Sequence, residues 1–70
     1  MDRQDVESRM IRSIGYDEGC GTLEIEFNSG YIYRYFLVDP AVYEELMEAS
    51  SKGRYYVQNI RRVYINTRME

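Results

Sequence analysis

The cleanest pattern in the chain is TLEIEFN at residues 22–28. Leu23, Ile25 and Phe27 fall on one side of an extended segment, and Glu24 and Glu26 on the other. Strict alternation of this kind predicts a strand with its apolar side chains in the core and both glutamates in water. RMIRSIGY (9–16) is rich in branched and aromatic residues and reads as a preceding strand. DEGCG (17–21) supplies the turn between them. Asn28-Ser29-Gly30 reads as a hairpin turn that places a glycine at the left-handed position. YIYRYFLV (31–38) then forms a third strand, apolar on both sides. Tyr31, Tyr33, Tyr35 and Leu37 share one face; Ile32, Arg34, Phe36 and Val38 share the other.

The period then changes. Asp39-Pro40 is a helix start, with Asp39 as cap and Pro40 in the first turn. Val42, Tyr43, Leu46 and Met47 form a helical stripe, and Glu44, Glu45 and Glu48 the wet face. This helix is expected to stop near residues 50–52, with Gly53 just past its end. Val57, Ile60 and Val63 or Tyr64 recur at helical spacing and predict a second helix over about residues 55–64. Residues 1–8 read as a loosely attached lead and 66–70 as a polar tail. The expected architecture is one α+β domain spanning 1–70: a three-stranded antiparallel meander followed by two helices on one face.

Composition narrows the chemistry. Among 70 residues there are one cysteine, Cys20, and no histidine. That excludes an intrachain disulfide and histidine-based triads, and argues against a zinc site and for a reducing, cytoplasmic setting. No apolar run approaches the ~20 residues a membrane helix needs, so no membrane partner is expected. Eight tyrosines and no tryptophan are unusual at this size; tyrosine suits half-buried walls and interfaces.

Charge is placed unevenly. Residues 1–50 carry eleven acids against four bases, net −7, and residues 51–70 five bases against one acid, net +4. This disfavours duplex DNA and long RNA while leaving room for a local anion site. The basic segment SSKGRYYVQNIRRVY (50–64) contains the candidates. Lys52, Arg54, Arg61 and Arg62 offer positive charge, Ser50 and Ser51 hydroxyls, and Tyr55, Tyr56 and Tyr64 rings for stacking. Asn59 could read a base edge. The competing reading is a solvated helix face whose cations complement helix dipoles and pair with Glu44, Glu45 and Glu48. Tyr33, Arg34 and Tyr35 are candidates for a pocket or interface, Arg34 because an unpaired charge in a central strand is costly. Glu24 and Glu26 are better explained as a solvent face than as catalytic carboxylates. Cys20 reads as an inert turn thiol.

Three stretches together resemble the KTSC domain: Ile14-Gly15-Tyr16-Asp17, the F-x-x-G-x-x-Y of Phe27, Gly30 and Tyr33, and Ser51-Lys52-Gly53-Arg54-Tyr55-Tyr56 followed by Ile60-Arg61 and Tyr64. The resemblance spans about residues 6–64. It departs at Val57, where members often carry an asparagine; this chain has Asn59 two positions later. The family takes its name from a domain at the C-terminus of some lysyl-tRNA synthetases and also occurs as short bacterial and phage proteins. The resemblance implies a small binding module rather than an enzyme. Two functions follow as expectations. One is a non-catalytic module, without cofactor, that binds or sequesters a phosphate-bearing ligand such as a nucleotide signal, in a homo-oligomer. The other is a protein-interaction or assembly domain, with RNA binding a further alternative by analogy with the synthetase appendage.

Overall fold

The structure, a computed structural model, describes residues 1–69. The elements run β1 (Gln4–Asp5), β2 (Ile11–Asp17), β3 (Thr22–Phe27), β4 (Ile32–Tyr35), α1 (Pro40–Glu48), α2 (Lys52–Asn59) and β5 (Asn66–Arg68). The strands form one antiparallel sheet in the order β1-β2-β3-β4-β5. The α+β class with two helices over one face is as expected, but the sheet has five strands rather than three. The two added strands come from the segments taken for a lead and a polar tail. They are two and three residues long and exposed throughout, so they carry no alternation to read. Glu70, the last residue of that tail, lies outside the described residues.

The core lies between the helices and one sheet face. Ile11, Ile14, Leu23, Ile25 and Tyr35 from the sheet meet Val38, Leu46, Tyr56 and Ile60. Ile11 and Ile14 share that face despite their odd spacing because the β2–β3 ladder shifts between Ile11 and Ser13. Gly30 takes φ 103 in the β3–β4 turn, the conformation its position in Asn28-Ser29-Gly30 predicts. Asp39 caps α1 through Ala41 N–H at 2.8 Å, Pro40 follows, and Leu46 is buried with Val42, Tyr43 and Met47 packed around it.

Three local expectations are corrected. Helix α2 begins at Lys52, not near Tyr55, because the Ser51 hydroxyl accepts from Arg54 N–H and caps it; Gly53 sits inside the first turn. The helix ends at Asn59 so that the chain can return as β5. Its buried anchors are therefore Tyr56 and Ile60, while Val57 and Val63 are exposed. Strand β4 ends at Tyr35. Leu37, read as part of the third strand, makes the corner into α1 with φ 57 and is 81% exposed, and Val38 turns into the core.

The opposite sheet face is polar yet covered. Glu24, expected in water, is 4% exposed. One of its oxygens accepts from Arg34 Nε at 2.7 Å and the other from an Arg3 guanidinium nitrogen. Arg3 Nε also donates to the Ser13 hydroxyl at 3.0 Å, and Ser13 donates to Glu26 at 2.8 Å. The N-terminal residues close this network by lying across Gly15, where a Cβ would stand 2.6 Å from the Asp2 carbonyl oxygen. Arg34 is thus paired with an acid, and on this face it also lines a hollow with Tyr16, Cys20, Thr22 and Phe36.

Candidate functional site

On the helical side of the sheet, α2 covers only part of the face that β3 and β4 present. Beside it lies an open groove of about 670 Å³. Phe27, Tyr31, Tyr33 and Tyr35 come from the β3–β4 hairpin, Tyr56 from α2, and Asn66 from β5. Four of the rings touch in series. Phe27 meets Tyr33 and Tyr56 edge-on, with centroids 6.1 and 5.1 Å apart, and Tyr35 lies 6.3 Å from Tyr33 and 5.9 Å from Tyr56. Quadrupole-aligned packing of this kind makes a stiff apolar wall that still offers ring surface to a ligand. Tyr31 is half exposed, and the Arg68 guanidinium sits 5.1 Å from its ring centroid.

Two arginines line the same groove. Arg9 is set there by the hairpin turn: the Asn28 amide donates to the carbonyls of Ser8 and Arg9, each at 2.9 Å, and Asn28 N–H donates to the Met10 carbonyl. Arg61 is set by the end of α2, where Ile60 and Arg61 N–H both donate to the Tyr56 carbonyl. Among the described residues the ion pairs involve only Arg3 and Arg34, so neither groove arginine is neutralised by a carboxylate. The Tyr35 and Tyr56 hydroxyls share a buried hydrogen bond of 2.5 Å. Burial, then the bond to Tyr56, pushes the Tyr35 phenol well above its ordinary 10.0, while the Arg61 charge pulls the other way. The floor of the groove is therefore neutral at physiological pH and its lining is positive.

The residues singled out in the basic segment separate. Tyr56 and Arg61 join Tyr33 and Tyr35 in the groove. Ser50, Ser51, Lys52 and Arg54 line a second depression of about 430 Å³ with Ser8, and the two hollows share Arg9 and Met10. There Gly53 packs against Met10, 3.2 Å from where a Cβ would stand. Lys52 Nζ donates to the Ala49 carbonyl, which is the helix-end role of the competing reading. Tyr55 turns to α1 and donates to Glu45 at 2.7 Å, and Asn59 donates to the Tyr55 carbonyl. Arg62 and Tyr64 line neither hollow. Arg34 is on the far face with Glu24. Sequence reasoning missed Arg9, Phe27, Asn28, Tyr31 and Asn66 as site residues. The signal available was the shared face of Phe27, Tyr31, Tyr33 and Tyr35, which reads equally well as ordinary core.

Comparison with known families matches residues 7–64 to the KTSC domain. The chain belongs to the KTSC domain family. It is 47% identical over 58 residues to an uncharacterized protein of Stutzerimonas stutzeri, covering 83% of this chain and 82% of that one. It is 44% identical over 50 residues to a lysine–tRNA ligase of Nostoc punctiforme, covering 71% of this chain and 9% of the ligase. The crystal structure of a KTSC domain protein from Yersinia pestis superposes with a TM-score of 0.93 at 36% identity, covering 99% of this chain and 97% of that one. The KTSC fold is thus found both as a short chain and as a small part of a much longer ligase. Among the described residues no helix is long and apolar enough to cross a membrane.

Proposed function

We propose that this KTSC domain is a non-catalytic binding module that takes a phosphate-bearing aromatic ligand, a nucleotide or nucleotide signal, into the groove beside α2. The observation that carries this reading is the pairing of an aromatic wall with two arginines that have no carboxylate partner among the described residues. Ring surface stacks a base, and guanidinium forks meet a phosphate. The groove volume falls in the range typical of small-molecule sites, ~300–1,000 Å³. The acidic first fifty residues oppose a long polyanion but not a ligand of one or two nucleotides. The lone exposed Cys20 suits a reducing, cytoplasmic setting. An RNA end is kept in view by the lysine–tRNA ligase relatives, and it would use the same stacking and phosphate contacts.

Arg61→Ala is expected to weaken nucleotide binding about tenfold or more, the worth of one charge-assisted hydrogen bond. Arg62→Ala, outside the groove, is expected to leave it unchanged. Calorimetric titration of both variants with a nucleotide panel checks this; equal losses in the two would detach binding from the groove.

The assembly reading draws its support from Leu37, Val63 and Ile65. All three are exposed, and the Phe36 N–H bond to the Ile65 carbonyl ties their two segments together. If this face joins two copies, Leu37→Asp lowers the mass measured by light scattering while nucleotide binding survives.

A further inference from the structure

The Tyr35–Tyr56 hydroxyl pair has one proton more than it can use. Each hydroxyl brings one O–H, and the single bond between them consumes one of the two protons. No other hydrogen bond to either oxygen is formed among the described residues. Both side chains line the aromatic groove, and both residues are more than nine-tenths buried. An oxygen already in one hydrogen bond tolerates an unused lone pair. A ligand ring that covers the pair displaces water from this proton, and that costs affinity unless the ring brings its own acceptor. The other oxygen-bearing side chains of the groove, Asn28, Ser29, Tyr31, Tyr33 and Asn66, form no hydrogen bond with either hydroxyl, and the Arg61 charge favours an electron-rich partner.

Building on the nucleotide reading of the groove, we infer that the Tyr35–Tyr56 pair is its specificity element, donating the spare proton to an exocyclic oxo group on the ligand's ring. The site then prefers rings of the guanine, hypoxanthine or uracil type, with an oxo group where adenine and cytosine carry an amino group. The amino group arrives with its own protons and leaves the hydroxyl proton unmatched. A site built around a hydrogen bond rejects the analogue that cannot make it far better than a site built on shape alone.

Inosine and adenosine 5′-monophosphates are the deciding probes, because they carry the same ribose and phosphate and differ at the 6-oxo edge. Calorimetric titration of the intact chain is expected to show inosine monophosphate binding about tenfold or more tightly. In the Tyr35→Phe/Tyr56→Phe double variant both hydroxyls go together, so no polar group is stranded. The fold is expected to survive, and the two ligands to bind within a factor of about three of each other. Single variants leave one hydroxyl with its proton free and are expected to retain the preference. Equal affinities in the wild type overturn the inference, as does a preference that persists in the folded double variant; in either case binding itself, and the groove reading with it, still stands. If neither nucleotide binds, nor any other of a panel, both readings fall together. The wild-type comparison decides the matter even if the double variant does not fold.

Discussion

Removing the Glu24 carboxylate leaves the Arg3 and Arg34 guanidiniums facing each other over a closed sheet face. Glu24→Ala is therefore expected to destabilise the fold by about 2 kcal/mol, less than a fully buried pair because both arginines reach water, as read from urea unfolding. The pH dependence carries the same signature. Burial pushes the Glu24 carboxyl up, but the hydrogen bonds and charges of Arg34 and Arg3 outweigh it and hold the group below its ordinary 4.5. A carboxylate held low in the folded state contributes fully above pH 4.5, and the contribution fades as pH falls through the depressed value. The acid limb of the unfolding curve should be shallower in Glu24→Gln. At the alkaline end, burial and then the bond to Glu45 push Tyr55 up to about 12. Folding favours its neutral form, so that stability is complete below pH 10 and is lost as pH rises towards 12. Phenolate absorbance should show one late-titrating tyrosine fewer in Tyr55→Phe. At this scale the sequence was legible for caps and turns, whose geometry is set by near neighbours, as at Asp39 and Gly30. It was not legible for Glu24, because its partner Arg3 lies 21 residues away in a segment with no pattern of its own.

At the scale of elements, the N-terminal segment and Gly15 depend on each other. β1 is two residues long, and residues 1–3 just before it lie over Gly15, among the described strands the one position without a side chain. Gly15→Ala forces the Asp2 backbone away and is expected to cost ~1–3 kcal/mol in the intact chain. In a chain lacking residues 1–5 the same substitution is expected to be nearly neutral. A double-mutant cycle by thermal unfolding reads the coupling directly; equal costs in both backgrounds would mean that the N-terminal residues do not occupy that space. The long alternating and helical segments were readable because each buries one face over several residues. The second helix was read three residues late because Tyr55 to Tyr64 is periodic in its own right; the Ser51 cap sets the true start, and with it the choice of Tyr56 over Val57 as anchor.

Taken whole, the molecule makes its groove from residues spread between Arg9 and Asn66, so the site exists only in the folded chain. Four of its eleven lining residues, Tyr33, Tyr35, Tyr56 and Arg61, lay among the sequence candidates. Most of the rest are brought in by the hairpin turn and β5, contacts of long range that no local pattern announces. A ligand that needs this assembled surface must stabilise the native state, by roughly 2.7 kcal/mol at a hundredfold excess over its dissociation constant. The most direct measurement is the thermal midpoint of the wild type and of Arg61→Ala across mononucleotides, cyclic dinucleotides and short RNA. The account predicts a rise of several degrees with a small nucleotide in the wild type, and a much smaller rise in Arg61→Ala at the same concentration. No rise with any ligand at millimolar concentration, or the same rise in both proteins, would contradict it.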